Sequence, residues 1–170
     1  MKVANVHERL LAASVAEVGH LLDSLSGPAD RLWPRADWPP MRFDRALQVG
    51  AVGGHGPVRY VVEAYEPGHR VQFRFTAPSG FDGVHAFELR PQPDGQTVLR
   101  HELRMAAHGP ALVTWPLVFR PLHDALIEDA FTVAANHLGI ASPRRPWSLW
   151  VRVLRGILRR RRIRRERRAI

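Results

Sequence analysis

Four residues able to hydrogen-bond or move a proton stand in phase with apolar neighbours: Arg45 in MRFDRAL, Tyr60 in VRYVVEAY, His85 in VHAFELR and His101 in TVLRHELRM. In an extended chain successive side chains point to opposite faces, so each of the four shares a face with the apolar residues two positions away. Phe43 accompanies Arg45, Val62 accompanies Tyr60, Phe87 accompanies His85 and Leu103 accompanies His101. The stretch VQFRFT separates most cleanly, with Val71, Phe73 and Phe75 on one side and Gln72, Arg74 and Thr76 on the other. If the phenylalanine side looks inward, these strands line an apolar pocket that carries a few polar groups. His85 or His101 could then act as general base beside an enolisable carbonyl, with Arg45 or Tyr60 steadying the developing oxyanion. The competing reading is a filled core in which the same polar atoms are satisfied by backbone or by one another. A one-residue slip in any strand would turn its whole set outward.

Other chemistries find little support. The chain has no cysteine, which removes thiol nucleophiles and zinc–thiolate sites. Its nine histidines form no HxH or HExxH pattern, and His123 and Asp124, adjacent in a helix, diverge by about 100°. No metal and no cofactor are expected. VGAVGGHGPVRY has the glycines of a phosphate loop, but Pro57-Val58-Arg59-Tyr60 opens a strand where a dinucleotide fingerprint would open a helix. Asp82, near His85 in GFDGVH, reads as a turn former, and no GxSxG nucleophile elbow occurs.

The elements that must position the pocket follow from periodicity. Residues 3–11 read as a first strand. Ser14 with Glu17 three positions on is a capping box for a helix whose apolar face is Val15, Val18, Leu22 and Leu25, stopped at Gly27-Pro28. ADRLWPRADWPP allows a second short helix before Pro34. From Met41 the period becomes two, and five successive strands with short turns, including Glu66-Pro67-Gly68 and Pro93-Asp94-Gly95, require an antiparallel meander. The glycines at 50, 53, 54 and 56 give the chain freedom to curve between the second and third strands. Pro121 starts a long helix closed by Gly139, with Leu122, Leu126, Ala130, Val133 and His137 on one face; Leu126 and Ala130 are placed toward the pocket. ALVTWPLVFR supplies a helical turn or two before it.

Charge divides the chain. Residues 143–170 hold twelve arginines against Glu166 alone, while the other 142 residues hold thirteen basic and fifteen acidic side chains, a surplus of two negative charges. The body therefore lacks the basic face of a phosphate-gripping fold. Lys2 is the only lysine beside 24 arginines, a bias that suggests GC-rich coding more than selection for the guanidinium fork. In the tail, Trp147, Trp150, Leu154, Ile157 and Leu158 gather on one helical side ahead of eight arginines within residues 159–168. An apolar-aromatic face followed by such a run suits an anionic membrane surface, with Trp147 and Trp150 inserting and Arg159, Arg160, Arg161 and Arg162 meeting headgroups. Nucleic acid is the weaker partner, attracted by phosphate charge without sequence reading. A solvated extension with no partner is the third reading. The chain opens without a signal-peptide pattern and holds no apolar run long enough to span a bilayer, so a cytoplasmic protein, peripheral at the inner membrane surface, is expected.

The order strand, two short helices, antiparallel meander and long C-terminal helix, with the opening VHERLLAASVAEVGHLLDSL, resembles the START-like superfamily, the helix-grip fold of polyketide cyclases/dehydrases and lipid-transfer proteins (SRPBCC proteins). The resemblance covers roughly residues 1–140, leaving 141–170 as an arginine-rich amphipathic tail. Members often carry a proline and a bulky aromatic near the first helix, where this chain has Ser14-Val15 and Gly19-His20. The resemblance implies an α+β fold, a curved antiparallel sheet wrapped around the long C-terminal helix, with a cavity between them. Three functions follow: a carrier for a small hydrophobic or amphipathic ligand, lipid- or polyketide-like; a cyclase/dehydrase-type enzyme; or a regulatory protein docked by its tail. An enclosed space of about 300 Å³ or more favours a small-molecule role, and a smaller one favours interaction.

Overall fold

A computed structural model describes the chain over residues 1–168, with side chains through Arg160. Strand β1 (Lys2–Leu11) leads to helix α1 (Val15–Asp23), followed by β2 (Arg42–Phe43), β3 (Val52–His55), β4 (Val58–Glu66), β5 (Arg70–Ala77), β6 (Phe81–Pro91) and β7 (Thr97–Ala107). Helix α2 (Ala111–Thr114) and a π-helical turn (Trp115–Phe119) run into the long helix α3 (Arg120–His137), and α4 (Leu149–Arg168) closes the chain. All strand pairs are antiparallel, in the order β1-β7-β6-β5-β4-β3-β2. The long helix lies on the inner face of this sheet: its Leu126, Ile127, Phe131, Ala134 and Ala135 join one core with Tyr60, Val62, Val71, Phe73, Phe87 and Leu99.

Local chemistry explains where the elements start and stop. Ser14 caps α1 as its spacing predicts, with its hydroxyl oxygen accepting from the Glu17 amide while the Glu17 carboxylate accepts from the Ser14 amide at 2.8 Å. Gly19 has a specific role: a Cβ there would lie 2.7 Å from the Gly68 carbonyl oxygen, so its absence lets α1 rest on the β4–β5 turn. Asp23 fastens that contact, accepting from the Gly68 amide and the Tyr65 hydroxyl, each at 2.8 Å.

Two departures from the sequence reading have physical causes. The second short helix does not form. Asp30 accepts from the amides of Leu32 and Trp33 as a helix N-cap would, but Pro34 has no N–H to continue the ladder, and residues 24–41 run as turns. The strand expected over MRFDRAL shrinks to Arg42–Phe43, and an unforeseen strand, β3, forms where only loop glycines were read. Gly53 and Gly54 permit it: a Cβ on either would meet a neighbouring carbonyl oxygen at 2.0 Å, so only glycine lets β2, β3 and β4 pair this closely. The sheet curves as the resemblance requires, with register shifts in β4 at Arg59/Tyr60 and Val62/Ala64.

The face of α3 is also rotated from its periodic reading. His137 is exposed and Val133 half-buried, while Asp129 and Thr132 are buried. Asp129 accounts for this. Its carboxylate accepts from Trp38 Nε1 at 2.7 Å, from Trp147 Nε1 at 2.9 Å, and from Arg144 through two bonds of 2.9 and 2.7 Å. Burial alone would raise its pKa, but these donors hold it below the usual carboxylate value. Around it Arg155 lies against the rings of both Trp38 and Trp147, at 4.2 and 3.9 Å from their centroids. The start of the basic tail is thereby fastened to the body, and Val151 and Leu154 of α4 are buried.

Candidate functional site

Strand register brings the sequence candidates onto one inner face. Tyr60 stands opposite Phe75, Val62 opposite Phe73, Phe73 opposite His85, His85 opposite Leu103 and Phe87 opposite His101. They do not all border the same space. Phe43, Tyr60, Val62, Phe73 and Phe87 fill one core, with Phe43 and Phe73 stacked at 5.8 Å, and Ala130 is buried without bordering the remaining space. The remaining volume is displaced toward the end of the sheet that faces the π-helical turn. There a cavity of about 130 Å³ is lined by Phe75, Phe81, His85, His101 and Leu103 from the sheet and by Leu122, His123, Leu126 and Ile127 from α3. Trp33, Trp38, Trp115 and His55 complete the wall, and exposed Pro39, Gly56, Pro57 and Leu158 edge the mouth.

Two residues proposed as oxyanion partners lie elsewhere. Arg45 is exposed and spends its guanidinium on the neighbouring Asp44, at 2.7 Å, because the strand that would have turned it inward ends at Phe43. Tyr60 is buried behind the cavity wall, its hydroxyl 3.0 Å from His55 Nδ1. Phe75, His85, His101, Leu103 and Leu126 do line the space.

The sequence reading missed the histidines that join them. His55 comes from the unforeseen β3, and His123 from a helix position set aside on its neighbour's divergence. His85 and His101 are fully buried, with Nδ1 of the first 3.3 Å from Nε2 of the second. His123 faces His101 at a ring distance of 5.0 Å, and His85 is stacked between Phe73 and Phe75 at 4.9 and 4.8 Å. Burial lowers the pKa of all four: His85 and His101 well below the usual value, His55 to about 3, and His123 more modestly because Asp124 opposes the effect. They are neutral imidazoles near pH 7. Among the described residues, His85 Nε2, His101 Nδ1 and both nitrogens of His123 find no hydrogen-bond partner. A buried polar atom left unpaired costs about 1–3 kcal/mol, and these four belong to three histidines that border one apolar space.

Behind His123 the wall turns ionic. His7 of β1 is 3.1 Å from both the Asp124 and Glu128 carboxylates, and Arg9 donates to Glu128 at 2.7 Å. Burial opposes charge on His7, but its bonds to the two carboxylates outweigh that and raise its pKa. His7, His123 and Asp124 bring ligand atoms within 4.8 Å of one another, and His123 Nδ1 is 3.6 Å from the Asp124 carboxylate despite their divergence along the helix. Both His7 nitrogens are engaged by carboxylates, Nδ1 by Glu128 and Nε2 by Asp124.

The residues assigned to a membrane surface divide. Trp147 is turned inward by Asp129. Trp150 is half exposed, its indole donating to the Leu117 carbonyl at 2.7 Å, and Arg159 and Arg160 are exposed. Arg161 and Arg162 lie outside the residues whose side chains are described. Leu112, Val113 and Leu117 are exposed, as are Leu149, Val153 and Ile157 of α4. Among the described residues no helix is long and apolar enough to cross a membrane.

No protein-family model matches the chain, and no curated protein does. Solved structures match through their fold. Norcoclaurine synthase of Thalictrum flavum, determined as a point mutant with a transition-state analogue, is 13% identical over 81% of this chain and 97% of its own, with a TM-score of 0.61. The di-domain ARO/CYC StfQ of the steffimycin biosynthetic pathway is 12% identical over 82% of this chain and 53% of its own, with a TM-score of 0.60. CalU16 of Micromonospora echinospora is 14% identical over 80% and 78%, with a TM-score of 0.56. The chain has the helix-grip fold that the START-like resemblance implied.

Proposed function

We propose that the domain binds a small hydrophobic or amphipathic molecule, lipid- or polyketide-like, in the cavity between the sheet and α3. The observation that carries this reading is the apolar space bordered by Phe75, Phe81, Leu103 and Leu126 and left unfilled by the protein. Its 130 Å³ falls below the roughly 300 Å³ that would favour a small-molecule role, so size by itself speaks for the interaction reading; the apolar wall is what supports a ligand, and the volume restricts the enclosed part to something small. An apolar void of about 150 Å³ accepts a benzene ring, so one ring or a short chain is enclosed while the rest of the molecule extends through the mouth. Toluene is therefore a fitting probe. Val118 lines the cavity while remaining partly exposed, so Val118→Trp should block it with little harm to the core. NMR titration should show toluene shifting resonances of the lining residues in the wild type, with affinity at least about tenfold weaker in Val118→Trp. No binding of toluene to the wild type would remove the reading.

A second reading concerns place. Leu112, Val113 and Leu117 are exposed on α2 and the π-helical turn, and Trp150, Val153 and Ile157 on α4, which meet where the Trp150 indole donates to the Leu117 carbonyl; Arg152, Arg159 and Arg160 are exposed on the same α4. We propose an anionic bilayer as the partner of these residues, since apolar insertion and arginine–headgroup attraction reinforce each other. Vesicles with 30% phosphatidylglycerol should sediment the protein and neutral phosphatidylcholine vesicles should not, and Leu117→Ala/Trp150→Ala should lose the interaction even at low salt. DNA binding that survives this double substitution, with no vesicle binding, would assign the arginines to nucleic acid.

A further inference from the structure

Where β1 meets α3, two imidazole nitrogens approach the same carboxylate oxygen. His7 Nε2 lies 3.1 Å from Asp124 Oδ1, and His123 Nδ1 lies 3.6 Å from it. One ligand atom each from His7, His123 and Asp124 lies within 4.8 Å of the other two. The spacing at His123 is not one a hydrogen bond selects, since N–H···O bonds run from about 2.7 to 3.2 Å, and Nδ1 of His123 is buried without a hydrogen-bond partner among the described residues. It is a spacing a metal ion selects. With zinc bonds of 2.0–2.1 Å, two ligand atoms on a tetrahedral ion stand about 3.3 Å apart, and the observed distances fall on either side of that. No local motif announces the group, because His7 is 117 residues from Asp124 and belongs to a strand on the far side of the fold's long connection.

We propose that this junction binds a divalent transition-metal ion of the zinc class, held by His7 Nε2, His123 Nδ1 and the Asp124 carboxylate, with water as the fourth ligand. Two imidazoles and one carboxylate form a nitrogen–oxygen set that suits Zn²⁺ and Co²⁺, whereas Mg²⁺ and Ca²⁺ prefer oxygen alone. The ion takes the place of the proton shared by His7 Nε2 and Asp124, and that proton leaves to solvent as the metal–nitrogen bond forms. The surroundings are those of a ligating histidine. His7 keeps its other nitrogen, Nδ1, 3.1 Å from the Glu128 carboxylate, which fixes the ring, and Arg9 holds Glu128 at 2.7 Å. Asn5 Nδ2 donates to Asp124 at 2.9 Å and orients that carboxylate in turn. The Asp124 side chain is 38% exposed, which gives the ion an entry path and the fourth ligand a place. The site stands apart from the ligand reading and ties β1 to α3.

Zn²⁺ titrated into the full chain, after treatment with EDTA, tests the site. Calorimetry should show one ion per chain with a dissociation constant of about 1 μM or tighter. In the unaltered protein the ring-nitrogen resonances of His7 and His123 should shift at one equivalent of Zn²⁺, and Mg²⁺ at the same concentration should leave both in place, a readout that needs no variant to fold. Co²⁺ should give the visible absorption of a four-coordinate ion. His123→Gln and Asp124→Asn should each weaken Zn²⁺ binding by about a hundredfold or more, and Glu128→Ala by about tenfold, since it removes only the partner that orients His7. Binding no tighter than about 100 μM, or resonance shifts confined to the exposed His20, His69, His108 and His137, would overturn the metal site. Either result would leave the apolar cavity and its toluene test untouched.

Discussion

Replacing Asp129 with alanine should lower the stability of the domain by about 3 kcal/mol, a large fraction of the roughly 5–15 kcal/mol that holds a typical domain together. The carboxylate is buried and receives four hydrogen bonds, from Trp38, Trp147 and twice from Arg144. Its removal leaves two indole N–H groups without their acceptor and Arg144 with only its 2.8 Å pair to Asp37, and each unpaired buried donor costs on the order of 1–3 kcal/mol. Arg144 is nearly half exposed and recovers part of its loss in water, which keeps the total toward the lower end. The effect is not confined to one helix. Asp129 joins the turn segment carrying Trp38, helix α3 and the approach to α4, and Arg155 bridges the same two tryptophans. Asp129→Ala should therefore loosen residues 144–155 before it unfolds the sheet. Urea denaturation measures the first effect, and trypsin cleavage after Arg144, Arg152 and Arg155 under native conditions measures the second. Asp129→Asn, which keeps one acceptor oxygen, should fall between wild type and alanine. Wild-type stability and protease resistance in Asp129→Ala would show that this carboxylate does not hold the tail.

This residue also shows where the sequence stops being informative. A period of two along VQFRFT and VHAFELR is a local property, and the shared inner face it implies is the one observed, with Phe73 opposite His85 and Phe87 opposite His101. The capping box and the proline opening α3 are equally local. Asp129 belongs to no pattern, since its partners lie 91, 15 and 18 residues away in sequence. Trp147 falls on the apolar side of a helical wheel, and a wheel cannot distinguish a side that meets lipid from one that meets Trp38. The cavity failed to be fully legible for a related reason. Strand alternation tells which residues look inward, but not which of them touch one another and fill the space: Phe43, Tyr60, Phe73 and Phe87 do so, and the unfilled volume moves to where β3 and α3 bring His55 and His123. The separation of body and tail by charge is real in the composition, yet the first arginines of the tail, Arg144 and Arg155, are bound into the body.

Acid should unfold this domain steeply below pH 6.5, with a slope set by its buried histidines. His85 and His101 have folded pKa values well below the ordinary 6.5, and His55 is lowered to about 3. Between pH 6.5 and those lowered values the unfolded chain binds protons that the folded chain refuses, so stability is complete above 6.5 and is lost as the pH falls. Each such proton contributes about 1.4 kcal/mol per pH unit. The two fully buried rings alone give about 2.7 kcal/mol per unit once the unfolded histidines are charged, roughly one unit below 6.5, and His55 steepens this as far as its cavity-facing side stays dry. His123, whose pKa burial also lowers, acts in the same direction and window; His7 and Asp124 act in different ones. His7, whose pKa is raised, adds stability below 6.5 that is lost as the pH rises through its folded value; Asp124, whose pKa is lowered, loses its contribution only as the pH falls below about 3.8. Neither compensates between pH 5.5 and 4.5. Urea unfolding free energies across that interval should fall by about 3 kcal/mol or more, and His101→Leu should remove about 1.4 kcal/mol per unit from the slope. A flat profile there would mean that His85 and His101 carry protons in the folded protein.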